Sequence, residues 1–460
     1  MHSLKVVCLA TVLFFTGCAS HKPNNLENTE STADLRLYQL YIDPNGDLLD
    51  PGNREKITDE STYVDNILKN FETQKAENPD LQLTLFIHGG LNTFESATAR
   101  VKRAQAAMLA DDKYPLFISW DSAALSNYSD HLFLLRNGIK ARKLGPVSSP
   151  FVWLEDMLRS LARLPASTYN VVAGQNSVRI NNYSPVEVAA DRSLLELKAQ
   201  GFTLHNSDKD TGHTVGDWWS IWNPVKLATA PFVDGLGTGA WDSMLRRTDL
   251  VLRRDVNLDG VNSPGPDTAV TTFLNRYAQT QSKHAIIIIG HSMGTIVANN
   301  IIAKYSKLTF SDIVYMAAAC KMKDIEYVVA PYLENHPKTE FYNLSLNPYR
   351  DISENIYHDF IPRGSLLMWI DQTLGGANSF QDRTAGYWFN IVLGASEAFK
   401  NNQIRKRVHL TQFGIRDKTP QNHGDFGEFK FWKDAFWKGG VGLYQASRAP
   451  DRDQPLNAQN

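Results

Sequence analysis

The sequence predicts an α/β protein with a mostly parallel central sheet flanked by helices. Short apolar runs rich in β-branched residues, such as the four isoleucines at 286–289, are typical of strands buried on both faces. These runs alternate with stretches in which apolar residues recur at helical spacing, and this alternation is typical of parallel strands joined by crossover helices. Between residues 122 and 266 the alternation stops, so we expect an insertion there.

The N-terminus predicts export. Lys5 precedes an apolar run at 6–15, and small residues follow at 16–19, as in a secretory signal peptide. The run is too short to span a bilayer. The Gly-Cys pair ending at Cys18 resembles the lipobox of bacterial lipoproteins, in which signal peptidase cuts before the cysteine and the thiol carries diacylglycerol. Phe15 departs from that pattern, because an aliphatic residue is usual there, and a plain secretory signal is the alternative.

The lipobox resemblance has consequences for the organisation and location of the chain. It implies a signal peptide at 1–17, lipidation of Cys18 and anchoring in the bacterial cell envelope, at the outer membrane. Residues 18–33 are polar and lack periodicity, which predicts a tether, and residues 446–460 form a polar tail.

Cysteine usage and charge narrow the class of protein further. The chain has three cysteines, and only Cys320 lies outside the signal and lipidation positions, so we expect a domain held by its core and not by disulfides. The formal net charge of -2 gives no reason to expect a nucleic-acid partner.

Residues 34–121 read as the first part of the core. The patterns predict strands at 35–42, 81–87 and 114–120, with helices at 62–76 and 96–109 between them. The second part, 267–445, begins with a helix capped by Asp267. It continues with strands at 312–318, 340–346 and 407–414 and a final helix at 429–443.

The pentapeptide Gly290-His291-Ser292-Met293-Gly294 lies between the isoleucine strand and a helical pattern. Strand, G-x-S-x-G and helix is the context of a nucleophile elbow. Glycines are needed because a side chain at either flanking position would collide with the neighbouring strand or helix, and the strained serine is pushed out above the sheet. The other interpretation is an ordinary strand-to-helix turn with a capping serine.

In this stretch the sequence resembles the α/β-hydrolase superfamily, in particular its serine esterases and lipase-like members. In that superfamily the loop after the third strand supplies backbone N–H groups to an oxyanion hole. Here the strand at 81–87 runs into His88-Gly89-Gly90-Leu91. The resemblance therefore implies Gly90 or Leu91 as donors, together with Met293 after the nucleophile.

The superfamily also places its catalytic acid after the seventh strand and its histidine after the last. By resemblance this order assigns Ser292 as nucleophile, His423 as base and Asp351 as the acid that orients the base. The other nearby acids, Glu354, Asp359 and Asp371, compete with Asp351 for this role. We interpret the other histidines in this part of the chain, His291, His358 and His409, as structural or surface residues.

The insertion at 122–266 shows helical periodicity at 131–144, 151–164 and 241–252. It holds five of the ten tryptophans, and its Gly235–Gly239 segment is a possible hinge. The resemblance implies a helical cap that lines the substrate pocket, whereas the plainer interpretation of each tryptophan is core. Asp255–Gly260 matches the first half of an EF-hand loop, but Pro266 replaces the twelfth-position glutamate, so a polar turn is favoured over calcium.

Together these observations predict a lipid-anchored, extracytoplasmic serine hydrolase that cleaves carboxylic esters through an acyl-enzyme. The expected partners are an ester or lipid substrate and the membrane, and no cofactor or metal is expected. Two alternatives stay open. The chain can be a non-catalytic surface lipoprotein that uses the fold as a binding module, or a thioesterase or peptidase with the same triad.

Overall fold

The structure, a computed structural model, describes residues 35–136, 138–179, 185–205, 224–254, 267–280, 284–355, 364–414 and 419–439. Several predictions lie outside these residues, among them the signal peptide, the lipidated Cys18 with its tether, the Asp255–Gly260 turn and the polar tail.

A nine-stranded sheet forms the centre of the molecule. Its strands are Gln39–Ile42 (β1), Leu48–Leu49 (β2), Gln82–Ile87 (β3), Lys113–Trp120 (β4), Thr203–His205 (β7), Ile286–His291 (β8), Phe310–Met316 (β9), Glu340–Leu346 (β10) and Val408–Phe413 (β11). Their order across the sheet is β2-β1-β4-β3-β8-β9-β10-β11-β7, and every neighbouring pair is parallel except β1 and β2. The α/β class and the mostly parallel sheet are therefore confirmed. A separate two-stranded hairpin pairs Leu135–Arg136 (β5) with Ile139–Lys140 (β6).

Helices connect the strands on both sides of the insertion. In the first part of the core they are Glu60–Glu77 (α1) and Phe94–Ala110 (α2). In the insertion they are Ala124–Phe133 (α3), Leu144–Arg179 (α4), Pro185–Ala199 (α5) and Pro224–Leu250 (α6). In the second part they are Ala269–Gln279 (α7), Gly294–Lys304 (α8), Met322–Asp324 (α9), Ala330–Asn335 (α10), Pro348–Ser353 (α11), Leu366–Trp369 (α12), Trp388–Ala398 (α13), Asn402–Arg405 (α14) and Asp434–Gly439 (α15).

Five further turns have tighter or wider helical geometry. They are the 3₁₀ turns Leu35–Leu37, Phe380–Asp382 and His423–Glu428 and the π turns Ile325–Val329 and Ile370–Leu374.

The isoleucines of β8 lie in the middle of the sheet. Each is at most 1% exposed, because β8 has a parallel neighbour on either side and helices cover both faces. This burial fixes the position at which the chain leaves β8, and therefore the position of the turn that follows it.

The sequence predicts a helical insertion, but the insertion also contributes a strand to the sheet. The three residues of β7 pair in parallel with β11 and form one edge of the sheet. A strand of three half-buried residues is too short to show a period of two in the sequence. The Gly235–Gly239 segment is also not a hinge, because it lies within α6.

The glycines of α6 allow close helix packing. A Cβ atom at Gly235 would lie 1.7 Å from Ser160 Oγ, and one at Gly239 would lie 2.5 Å from the His131 ring. Both neighbours belong to adjoining helices, α4 and α3. Glycine is needed here for space and not for flexibility. None of the helices in the described part of the chain combines the length and apolar character needed to cross a membrane.

Candidate active site

Ser292 lies in the sharp turn between β8 and α8. Its φ is 51°, a left-handed backbone conformation that costs energy for a residue with a side chain. A Cβ atom at Gly294 would lie 2.2 Å from Ile87 O, and one at Gly290 would lie 3.0 Å from Thr295 Cα. Both flanking glycines are therefore required by space, as the motif predicts.

The loop after β3 packs directly against this turn. A Cβ atom at Gly89 would lie 2.7 Å from Ser292 Cβ, and one at Gly90 would lie 2.8 Å from Met293 Sδ. Glycine at these two positions lets the loop backbone approach the nucleophile closely. The insertion reaches the same loop, because Met244 of α6 contacts the Gly90 position at 3.8 Å.

Hydrogen bonds hold the carbonyl groups of this loop away from the serine. Asn92 Nδ2 donates to the carbonyls of Gly89 and Gly90, and Ser122 Oγ donates to Gly89 O. His88 Nε2 accepts from the Trp120 backbone N–H at 3.0 Å, and burial lowers the pKa of His88 to about 3. His88 is therefore a neutral part of the scaffold and not a proton carrier.

Two of the three predicted oxyanion donors remain available. The backbone N–H groups of Gly90 and Met293 donate to no residue that the structure describes. The Leu91 N–H, by contrast, donates to Ser122 O at 3.0 Å. The assignment of Leu91 as a donor is therefore corrected. Its N–H group is occupied by the Ser122 carbonyl.

His423 begins the turn that follows β11, which is separated from β8 by two strands, and its side chain reaches Ser292. Its Nε2 lies 2.8 Å from Ser292 Oγ. Its backbone is held on two sides: the N–H donates to Glu354 Oε2 at 3.1 Å, and the carbonyl accepts from His291 Nε2 at 3.0 Å. This contact supports the structural role predicted for His291, which holds the backbone of the base. The sequence alone does not indicate that His423 is the residue it contacts.

The protonation state of His423 follows from its burial. The side chain lies in the interior, and burial lowers its pKa to about 4 because the cation loses its hydration. At neutral pH the ring is neutral. In the tautomer with the ring proton on Nδ1, Nε2 accepts from the Ser292 hydroxyl, as a general base requires. No residue in the described part of the chain accepts a hydrogen bond from Nδ1.

Asp351 is not hydrogen-bonded to His423. It lies on α11, just after β10, is fully buried, and neither carboxylate oxygen has a hydrogen-bond partner among the described residues. Burial raises the pKa of Asp351 well above its usual value; the adjacent Ser365 side chain lowers it, and the nearby Glu354 and Asp371 carboxyls raise it further. The structure thus brings two members of the predicted triad together and leaves the third on the neighbouring turn, with the base and the acid each lacking a partner.

The competing acids have other contacts. Glu354 accepts the His423 backbone N–H, and burial raises its pKa to about 7. Asp371 accepts from the Thr384 N–H at 2.7 Å and from Asn390 Nδ2 at 2.6 Å, and burial raises its pKa to about 6. Asp359 and His358 lie outside the described residues. His409 stacks on Tyr342 and pairs with Glu340 at the other end of β11, which supports a structural role.

The chemistry available here is nucleophilic. A serine hydroxyl hydrogen-bonded to a neutral imidazole can add to an electrophilic carbonyl. The N–H groups of Met293, beside the serine, and of Gly90, in the loop packed against it, have no partner among the described residues and can donate to an oxyanion. Among the described residues no cluster of three or more histidine, cysteine or acidic side chains could hold a metal ion. No protein-family model matches the chain, and comparisons with curated proteins and with solved structures likewise give no match.

Proposed function

We propose that the protein is a serine hydrolase of the α/β-hydrolase type that cleaves carboxylic esters through an acyl-enzyme. The observation that carries the proposal is the 2.8 Å contact between Ser292 Oγ and His423 Nε2, at a left-handed turn between a buried strand and a helix. A merely structural serine would not need this strained backbone, whereas in a nucleophile it directs the hydroxyl toward the base.

The reaction follows from this geometry. Ser292 Oγ adds to the ester carbonyl carbon while His423 Nε2 takes the hydroxyl proton, and the N–H groups of Met293 and Gly90 stabilise the oxyanion. His423 then returns the proton to the leaving alkoxide as its C–O bond breaks. Water repeats the sequence on the acyl-enzyme, and the products are an acid and an alcohol.

A fluorophosphonate probe tests the nucleophile. We expect covalent labelling of the wild type and loss of labelling in Ser292→Ala. The matched control is Ser243→Ala, which removes another buried serine hydroxyl, one without a hydrogen-bond partner among the described residues, and should keep labelling. Folded wild-type protein that resists the probe would contradict the proposal.

The bond type is a separate question. A panel of oxygen esters, thioesters and amides with acyl chains of increasing length, assayed beside Ser292→Ala, should show the highest kcat/KM for oxygen esters. Because alkoxide, thiolate and amine leaving groups use the same base, the triad alone does not separate them. A thioester or amide preference would replace the esterase assignment but keep Ser292 as the nucleophile.

Two observations favour a second function, a binding module without catalysis. Asp351 makes no hydrogen bond with His423, and Ser292 is only 2% exposed. In that case a gene for Ser292→Ala would restore the wild-type phenotype to a deletion strain as well as the unmutated gene does. If the protein acts as an enzyme, the Ser292→Ala gene would not restore that phenotype.

A further inference from the structure

One face of α4 carries a line of exposed apolar side chains. We call it the α4 stripe; its members are Leu144, Val147, Phe151, Leu154, Leu158 and Leu161, each between 49% and 75% exposed. The intervals alternate between three and four residues, which places all six on one side of a helix. The opposite side is buried: Asp156 contacts Tyr128 and His131 of α3, and Ser160 lies against Gly235 of α6.

The α4 stripe is unusual within this molecule. Single exposed apolar residues are common on protein surfaces, but a contiguous line of them marks an interaction site. Of the fifteen large apolar residues that are exposed in the described part of the chain, eight lie on α4. The cost of exposing so much apolar surface to water indicates that something covers this face in the working protein.

No uncompensated charge interrupts the α4 stripe. Glu155 and Arg159 pair with each other at 3.0 Å, and Arg163 pairs with Asp234 of α6 at 2.7 Å. An exposed lysine, Lys143, precedes the first turn. An apolar helix face with a basic end is the form of a helix that lies in the interface of a bilayer with anionic lipids.

The predicted anchor indicates which partner covers the stripe. Residues 18–34 span at most about 60 Å when fully extended, so a lipidated Cys18 keeps the domain close to the bilayer surface. Lys140 Nζ, in β6 just before α4, donates at 3.3 Å to Pro44 O in the turn that follows β1, the first strand after the tether. The chain that leads into α4 is therefore attached to the first part of the domain that follows the anchor.

We propose that the α4 stripe is a membrane-docking surface that lies in the lipid–water interface of the membrane in which the protein is anchored. This proposal rests on the predicted lipidation of Cys18 and is independent of the chemistry at Ser292. Docking by a second site would orient the domain on the bilayer, whereas one lipid anchor alone leaves the domain free to rotate.

Site-directed spin labelling of the full lipidated protein tests this surface. Cys18 carries the lipid, and Cys320 is buried with its thiol pKa raised by desolvation, so a cysteine introduced on the surface is labelled selectively. Nitroxides would be placed at Phe151→Cys and Leu158→Cys. The matched control is Leu195→Cys on α5, an exposed leucine of similar accessibility at 71%.

In vesicles of phosphatidylethanolamine and phosphatidylglycerol, labels on the stripe should gain severalfold in collision rate with oxygen and lose access to a water-soluble nickel chelate. The Leu195→Cys label should keep its aqueous values. Stripe labels that stay in water would overturn the proposal. So would labels that are shielded without vesicles as the protein concentration rises, since a second copy would then cover the face.

A charged variant separates docking from catalysis. Phe151→Glu combined with Leu158→Glu should return a label at Leu154→Cys to aqueous values in vesicles, with an unchanged circular dichroism spectrum. Hydrolysis of a water-soluble short-chain ester should remain within about twofold of the wild type, because neither residue touches the site. If the protein hydrolyses no ester at all, the label positions still report on docking, so the two proposals fail separately.

Discussion

The nucleophile region and the acid region of the candidate site are built in different ways. Around Ser292 the positions of atoms are set by backbone: flanking glycines without space for a Cβ atom, a left-handed turn and a loop in van der Waals contact. Around Asp351 the positions are set by side chains, and both the carboxylate and His423 Nδ1 lack a partner. The backbone around Ser292, which the buried sheet holds in place, is therefore already arranged for the proposed chemistry. The hydrogen bond between Asp351 and His423 Nδ1 is not formed.

The two regions differ in how many arrangements the rest of the fold allows them. A strand buried on both faces leaves the elbow only one arrangement, because a shifted register would expose the isoleucines of β8. A carboxylate on a short helix can be moved by a side-chain rotation or by a small movement of α11. If the protein is the proposed hydrolase, the acid region should reach the same degree of order when a substrate is bound, and the following experiments test this.

The largest effect is expected from the acid. If Asp351 pairs with His423 during catalysis, Asp351→Asn should lower kcat about a thousandfold or more with little change in KM, because the imidazole loses its orienting partner. Glu354→Gln should cost less than about tenfold, since the amide oxygen still accepts the His423 N–H. Both constants would be measured on a soluble ester. The reverse ranking would assign the acid role to Glu354.

Packing at the elbow should give the next largest effect. Gly294→Ala places a methyl group 2.2 Å from Ile87 O and should lower the free energy of unfolding by about 3 kcal/mol or more. The matched control is Gly424→Ala, beside His423, where a Cβ atom meets nothing within 4 Å; we expect a change within about 0.5 kcal/mol. Urea denaturation measures both. Equal stabilities would show that the elbow is less constrained than its geometry indicates.

The pH dependence of kcat/KM reports on the pairing of His423. The base works only when neutral, so activity falls as the pH drops through its pKa. With the burial described above, this acid limb should lie near pH 4, well below the ordinary histidine pKa of 6.5. An ionised Asp351 in contact with Nδ1 would stabilise the cation and move the limb upward. A limb at or above 6.5 that falls in Asp351→Asn would show that the pair forms.

The smallest effect concerns stability. The pKa of Glu354 is raised to about 7 from its usual 4.5, so the folded state holds a proton that the unfolded state releases. Stability should therefore decrease as the pH rises from 4.5 to 7 and stay level above. The shift of the Glu354 pKa corresponds to a loss of at most about 3 kcal/mol in the free energy of unfolding. The actual loss is smaller because Glu354 is partly exposed and solvent screens its charge. Glu354→Gln should flatten this decrease in urea denaturation series, and an unchanged slope would contradict the shift.

Much of the sheet and half of the site could be predicted from sequence. A central strand such as β8 carries an apolar run that defines it, and the elbow motif together with the loop after β3 predicts Ser292 and Gly90. The sequence assigns Asp351 to His423 only by its order in the chain, because several acids follow β10 within twenty residues and only side-chain placement ranks them. The hydrogen bond that occupies the Leu91 N–H depends on Ser122, which is distant in sequence.

The three-residue strand β7 ties the insertion to the body of the protein. The chain leaves the sheet after β4, near one edge, and adds β7 beyond β11 at the opposite edge before it returns to the centre as β8. Deleting the whole insertion would thus uncover a row of unpaired amide and carbonyl groups along β11, a template for aggregation. Engineering that aims to open the site should trim α4 or α6 and keep residues 203–205 in place.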